Sequence, residues 1–237
     1  MTHPIGARAH FQPIVDLRLM RLAGFEALAR FDDGVSPLEH LQAAERAGAR
    51  AQLELRLIEG AVTDASALPR EAFVTLNASG RTMIDPFLAE LLQRGERSWG
   101  LELFEGSPPE ECVAVREQVD RLGGFLLIDD AGADFADEKR IRDLRPDIVK
   151  IDRGLFWESL ADAAGRERLD GILAAADAAG ARTLVEGVED AGQLDAARAL
   201  GVDFAQGYHL GRPTPVEDVP QMLADLQRRV GVDAAGL

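Results

Sequence analysis

FQPIVDLRLMRLAGFEAL, residues 11–28, is the stretch that decides the fold. Its two β-like runs, FQPIV at 11–15 and LAGFEAL at 22–28, are joined only by Asp16 to Arg21. A parallel crossover takes about a dozen residues or more, usually as a helix, so a link this short demands antiparallel pairing. Outward from this hairpin the pattern changes. Short apolar runs follow at 73–77 (FVTLN), 101–104 (LELF), 125–129 (FLLID), 147–151 (DIVKI), 183–187 (TLVEG) and 202–206 (VDFAQ). Helical periodicity separates most of them, at 81–95, 109–122, 165–179, 190–200 and 216–230, and two helices are expected within 37–68. Pro109, Pro146 and Pro215 sit near element starts, where proline is tolerated.

Strands alternating with helices imply a parallel sheet with helical crossovers, and eight strands suggest closure. The expected fold is a modified TIM-type (β/α)8 barrel whose first strand runs against the others. A single domain spans 1–237, with a core of about 10–230, and the residues after Arg229 are expected to fray.

Composition narrows the function. The chain has 237 residues, 41 of them acidic and 26 basic, for a formal net charge of −15. That balance argues against binding long nucleic acids, which normally need a basic surface. A small phosphate ligand stays open if a metal ion or a local arginine offsets the charge. Cys112 is the sole cysteine, so no internal disulfide is expected. Its neighbours Val113 and Val115 suggest a core-facing helix side and an inert thiol. The sequence has neither a membrane-length apolar run nor the h-region of a signal peptide, and the expectation is a cytoplasmic protein.

In a barrel of this type the active site lies at the carboxyl ends of the strands. The runs end in Glu26, Asn77, Glu102, Asp129 with Asp130, Lys150 with Asp152, Glu186 and Gln206. Side chains alternate along a strand. Phe73 and Thr75 therefore share a face with Asn77, Phe125 and Leu127 with Asp129, Leu184 with Glu186, and Phe204 with Gln206. If that face is the barrel interior, these groups converge on one axis. Adjacent Asp129 and Asp130 reach one site only if the strand ends there and turns, for which Gly132 offers the freedom. Carboxylates gathered at one rim repel unless a cation sits among them. All-oxygen donors suit Mg²⁺ or Mn²⁺, and neighbouring aspartates suggest a shared two-metal site. His3, His10, His40 and His209 show no zinc-like spacing.

These residues resemble the EAL-domain phosphodiesterases, which hydrolyse cyclic di-GMP. The resemblance runs from Phe11 to Pro215. It is carried by FQPIVDL at 11–17, GFEALAR at 24–30, LNAS at 76–79, LELFE at 101–105, IDDAG at 128–132, KIDR at 150–153, EGVE at 186–189 and QGYHLGRP at 206–213. It implies that Glu26, Asn77, Glu102 and Asp129 hold one metal, and that Asp129 bridges to a second held also by Asp130 and Glu186. It further implies that Lys150 contacts the nucleophilic water, that Gln206 helps position it, and that Gln12 and Arg30 contact the substrate near its phosphates. Glu105 and Glu189 would support the surrounding loops, with Asp152 behind the site. The implied reaction opens cyclic di-GMP to the linear dinucleotide pGpG. A homodimer is a further possibility, because the family often pairs near the loop after Asp130.

That loop departs from the family pattern. Ala131 stands where an aromatic is usual, Ala133 and Asp134 replace threonine and glycine, and Phe104 replaces a threonine. One expectation is that Phe104 fills the space Ala131 vacates; the other is that the loop has drifted after losing a dimer role. The altered loop also leaves a second function open, a catalytically weak or inactive domain acting as a cyclic di-GMP receptor.

Overall fold

The computed structural model describes residues 6–103, 109–132 and 137–233. Strands β1 (Ala7–Asp16) and β2 (Arg21–Phe31) form the expected antiparallel hairpin. Asp16 closes its turn by accepting the N–H groups of Arg18 and Leu19. Next come α1 (Pro37–Arg46), α2 (Arg50–Ala65), β3 (Phe73–Ala78), α3 (Gly80–Met83), α4 (Pro86–Gln93) and β4 (Trp99–Leu103). The alternation continues with α5 (Pro109–Leu122), β5 (Phe125–Ala131), α6 (Asp137–Leu144), β6 (Ile148–Ile151), α7 (Arg153–Ala161) and α8 (Ala163–Ala179). The described chain is completed by β7 (Arg182–Val185), α9 (Ala191–Leu200), β8 (Phe204–Ala205), β9 (Thr214–Pro215) and α10 (Val219–Val230).

Strands β2 to β8 run parallel in sequence order, and β1 pairs antiparallel with both β8 and β2. The sheet therefore closes into a barrel at the one strand that runs backwards. Loops from strand to helix are pinned by side-chain caps at the carboxyl ends: Ser79, Asp152 and Asp190 each accept a backbone N–H of the helix that follows.

Alternation places two kinds of side chain in the interior. At the lower end Ile14, Leu127, Ile148, Leu184 and Phe204 form a closed apolar cluster, with Phe73 and Phe125 packed against it. The Phe73 and Phe125 rings meet edge to face at 5.1 Å. Gly24 and Gly100 make room for them, since a Cβ there would fall 2.4 Å from the Phe73 ring and 2.6 Å from that of Phe125. Two residues further along the same strand faces, Glu26, Glu102, Lys150, Glu186 and Gln206 replace the apolar groups. The larger core lies between the outer strand faces and the helices.

Several expectations are corrected in detail. The helix foreseen over 81–95 is two helices, because Asp85 caps α4 and Pro86 starts it. Helices α6 and α7 fall between the foreseen strands without having been anticipated. The fraying expected after Arg229 is absent as far as Asp233, with 234–237 outside the described residues: Val232 is buried, and Asp233 exchanges backbone hydrogen bonds with Met20 and Leu22. Val113 is 68 % exposed while Val115 is buried, as helix geometry requires of residues two apart. The side chain of Cys112, together with Phe104, Glu105, Ala133 and Asp134, lies outside the described residues, and with them the expected Phe104–Ala131 contact. No helix among the described residues is long and apolar enough to cross a membrane.

Candidate metal and phosphate site

Lys150 is the centre of the site. It projects from β6 into the barrel axis and is 1 % exposed. Its Nζ lies 2.6 Å from Glu102 Oε2, 2.7 Å from Asp129 Oδ1, 2.9 Å from Glu186 Oε1 and 3.6 Å from Glu26 Oε1. Four strands thus deliver a carboxylate to one ammonium. Burial opposes the charge on Lys150, but Asp129, Glu102, Glu186 and Glu26 outweigh it and hold the ammonium well above its ordinary pKa. Burial pushes Glu102 up strongly, with Glu26 adding to it against the pull of Lys150. Burial likewise raises Glu186 to about 7, Lys150 opposing and Asp129 and Glu26 reinforcing.

A second layer fixes Glu26. Gln206 Nε2 donates to Glu26 Oε2 at 2.6 Å and to Gln12 Oε1 at 2.9 Å, while Gln12 Nε2 donates to the Gly211 carbonyl. Asn77 Nδ2 donates to Glu26 Oε1 at 3.1 Å. Asn77 of β3 and Gln206, just past β8, therefore meet at the carboxylate of Glu26 on β2, with Gln12 of β1 behind Gln206.

Asp129 and Asp130 both reach the site. The β5–β6 register shifts between Ile128 and Ala131, and Asp130 has φ 56°. The turn expected at Gly132 thus begins at Asp130 itself, in a left-handed conformation that aspartate tolerates better than most residues. Asp129, Asp130 and Glu186 each place an oxygen so that all three lie within 4.8 Å of one another. Burial raises Asp130, and Asp129 beside it adds to the effect.

This arrangement fits divalent cations. One ammonium faces Glu26, Glu102, Asp129 and Glu186, with Asp130 alongside. Glu102 Oε1 and Gln206 Oε1 are buried with no hydrogen-bond partner. A hard, oxygen-seeking ion would engage such acceptors and offset the negative charge.

The remaining expected residues take other places. Arg30 lines the mouth of a cleft of about 1330 Å³ whose floor includes Glu26, Asn77 and Asp129. Its guanidinium donates to the Ala29 carbonyl. Asp152 caps α7 by accepting the N–H groups of Gly154 and Leu155. Glu189 is exposed, and its N–H donates to Gln193.

One residue that the sequence reading passed over is Glu54 on α2. Buried at 4 % exposure, it accepts from Ser79 N at 3.0 Å, Ser79 Oγ at 2.7 Å, Thr82 Oγ1 at 2.6 Å and Arg50 Nε at 2.8 Å. It ties the loop that follows Asn77 to a helix. The available signal was a charged residue on the apolar stripe that also carries Leu55, Ile58 and Val62. Arg168, exposed on α8, was also passed over; it donates to the Gly132 carbonyl at 2.7 Å.

The family model described as EAL domain matches residues 6–213. A relative from Escherichia coli (strain K12), the "Probable cyclic di-GMP phosphodiesterase PdeG", is 28 % identical over 231 residues, covering 90 % of this chain and 46 % of its own. This chain spans 28 %, 33 % and 46 % of the length of three curated relatives it matches. The solved "PaMucR Phosphodiesterase, c-di-GMP complex" superposes with a TM-score of 0.78 at 25 % identity, covering 90 % of this chain and 99 % of that one. BlrP1 of Klebsiella pneumoniae, solved as a manganese and cyclic di-GMP complex, shares the fold with a TM-score of 0.80 at 23 % identity, over 90 % of this chain and 57 % of that one.

Proposed function

The chain belongs to the EAL domain family, and from that premise we propose that it is a metal-dependent phosphodiesterase that opens cyclic di-GMP to linear pGpG. The observation that carries this reading is the convergence of Glu26, Glu102, Asp129 and Glu186 on the ammonium of Lys150.

Glu26, Asn77, Glu102 and Asp129 would hold one Mg²⁺ or Mn²⁺, and Asp129, Asp130 and Glu186 a second. Bound there, such ions supply a water of lowered pKa and screen the phosphate charge. Lys150 places a permanent positive charge where charge develops on the attacked phosphate, and it is well placed to orient the attacking water. Gln206 fixes one oxygen of Glu26 and so its bite. Gln12 is locked between Gln206 and Gly211, and in this reading it contacts the substrate near its phosphates. Arg30 engages the substrate from the cleft mouth, and Glu189 and Asp152 support the loops on either side. In the reaction a water oxygen bonds to phosphorus, the bond from phosphorus to the 3′ oxygen breaks, and that oxygen leaves with a proton. The 5′ phosphate stays on the linear product.

The deciding experiment incubates the purified chain with cyclic di-GMP and Mg²⁺ or Mn²⁺, and follows pGpG. Turnover is expected, with Glu26→Ala lowering it by about a hundredfold or more. A folded sample that turns over with neither metal removes the reading. Ala131, fully buried on β5 where the family carries an aromatic, favours a second reading: a receptor that binds cyclic di-GMP without cleaving it. Metal-dependent calorimetric binding with no pGpG would select it.

A further inference from the structure

The hairpin of β1 and β2 rises past the closed part of the barrel. There Arg8 stands directly opposite Arg30, His10 opposite Leu28 and Gln12 opposite Glu26. Alternation puts Arg8, His10 and Gln12 on one strand face, and Leu28 and Arg30 on the same side of the hairpin as Glu26. Arg8 and Arg30 both line the cleft that Glu26, Asn77 and Asp129 floor. His10, one same-face pair below them, is pushed below its ordinary pKa, first by burial and, against a backbone hydrogen bond with Pro213, by the positive charge of Arg30 and Arg8.

Like charges directly opposite on an antiparallel pair are destabilising. Little in the fold offsets this pair. Arg8 reaches Asp32 at 3.6 Å, with both side chains at least half exposed, and Arg30 spends one nitrogen on the Ala29 carbonyl. Such an exposed ion pair is worth little. An arginine pair at the mouth of an otherwise acidic chain has the chemistry of an anion clamp, because guanidinium groups match phosphate oxygens in pairs.

We propose that Arg8, facing Arg30 across the hairpin, completes a second anion subsite that holds the phosphodiester not being cleaved, while the other lies over the acid ring. The inference rests on the function proposed above. The spacing agrees with it: Arg30 lies four residues beyond Glu26 on β2, about 13 Å along the strand, and a long guanidinium side chain reaches back over part of that distance. Arg8 thereby becomes a specificity residue, favouring ligands with two phosphates over those with one.

The test is calorimetry of cyclic di-GMP with Ca²⁺ on the parent chain, Arg8→Ala and Arg8→Lys, at low and high salt, with thermal unfolding of each. Arg8→Ala should weaken binding about tenfold, flatten its salt dependence, and unfold no earlier than the parent, because a repulsive pair has been relieved. Arg8→Lys should recover part of the affinity. Parent-like affinity in Arg8→Ala overturns the subsite while leaving the proposed function standing. A lowered unfolding temperature that accounts for the lost affinity also overturns it, by making Arg8 merely structural. A folded parent chain that binds no cyclic di-GMP removes the proposed function, and the subsite with it.

Discussion

The Nζ of Lys150 and the Oε2 of Glu102 stand 2.6 Å apart, and each side chain is at most 1 % exposed. Two opposite charges from β6 and β4 are thus held together where water does not reach. Such a pair is costly to form and costlier to break, because removing one partner strands the other. Lys150→Met should destabilise the metal-free protein by about 3 kcal/mol or more. Mg²⁺ or Mn²⁺ should restore part of that loss by taking over the neutralisation of Glu102, Asp129 and Glu186. Urea unfolding with and without metal measures both effects; a variant as stable as the parent in chelator contradicts them.

The same cluster sets a pH dependence. In the metal-free fold Glu186 is raised from 4.5 to about 7, chiefly by burial. Between those two values the folded chain keeps a proton that the unfolded chain releases. Its contribution is therefore full below the unfolded pKa and falls as pH rises towards the folded one. Glu102, raised by the same cause, adds with the same sign. In chelator, stability should decline from about pH 5 to about pH 7.5. Metal affinity should rise over the same interval, since the ion displaces protons. Chemical denaturation and metal titration at stepped pH check the two slopes.

Glu54 offers a test away from the axis. Its carboxylate satisfies Ser79 N, Ser79 Oγ and Thr82 Oγ1, just beyond Asn77. Glu54→Ala leaves these donors buried without an acceptor and should cost about 3 kcal/mol of stability. If the loop also carries Asn77, Mn²⁺ affinity should fall with it. Equilibrium unfolding and metal titration read the two consequences separately.

Asp130 combines a side chain proposed to hold metal with an uncommon backbone, at φ 56°. Asn tolerates that conformation, so Asp130→Asn should fold like the parent while, under the proposed function, losing a metal-binding carboxylate and most pGpG formation. Asp130→Ala should lose in addition about 1 kcal/mol of stability. Comparing the two variants separates backbone strain from ligation.

Much of this architecture was legible in the sequence because strand parity is a strict rule. Leu127 and Asp129, or Phe204 and Gln206, must share a face once the strand is recognised. The six residues from Asp16 to Arg21 likewise force the reversed first strand. What escaped reading depends on contacts far apart in the chain. Glu54 lies 25 residues from Ser79, and only the folded barrel shows that its charge is buried and satisfied. Arg8 and Arg30 become neighbours through register, which composition does not encode. Asp233 holds to Met20 and Leu22 through backbone groups, which no residue pattern in the sequence announces. Helix α7 hid because its apolar and polar residues are spread around the helix: Leu155 and Phe156 are buried beside the partly buried Trp157.

The reversed strand β1 has a consequence for how the proposed metal site would form. Gln12 on β1, Glu26 on β2 and Gln206 just past β8 form one chain of hydrogen bonds across the seam where the sheet closes. A chain still lacking β1 would present the acids of the other strands but would leave Gln206, the donor to Glu26, without the acceptor Gln12 that braces it. Under the proposed function, zipping the seam and completing the ion site would be one cooperative event. Ion occupancy would then report topological closure, and ion uptake should appear late, with the last strand to dock.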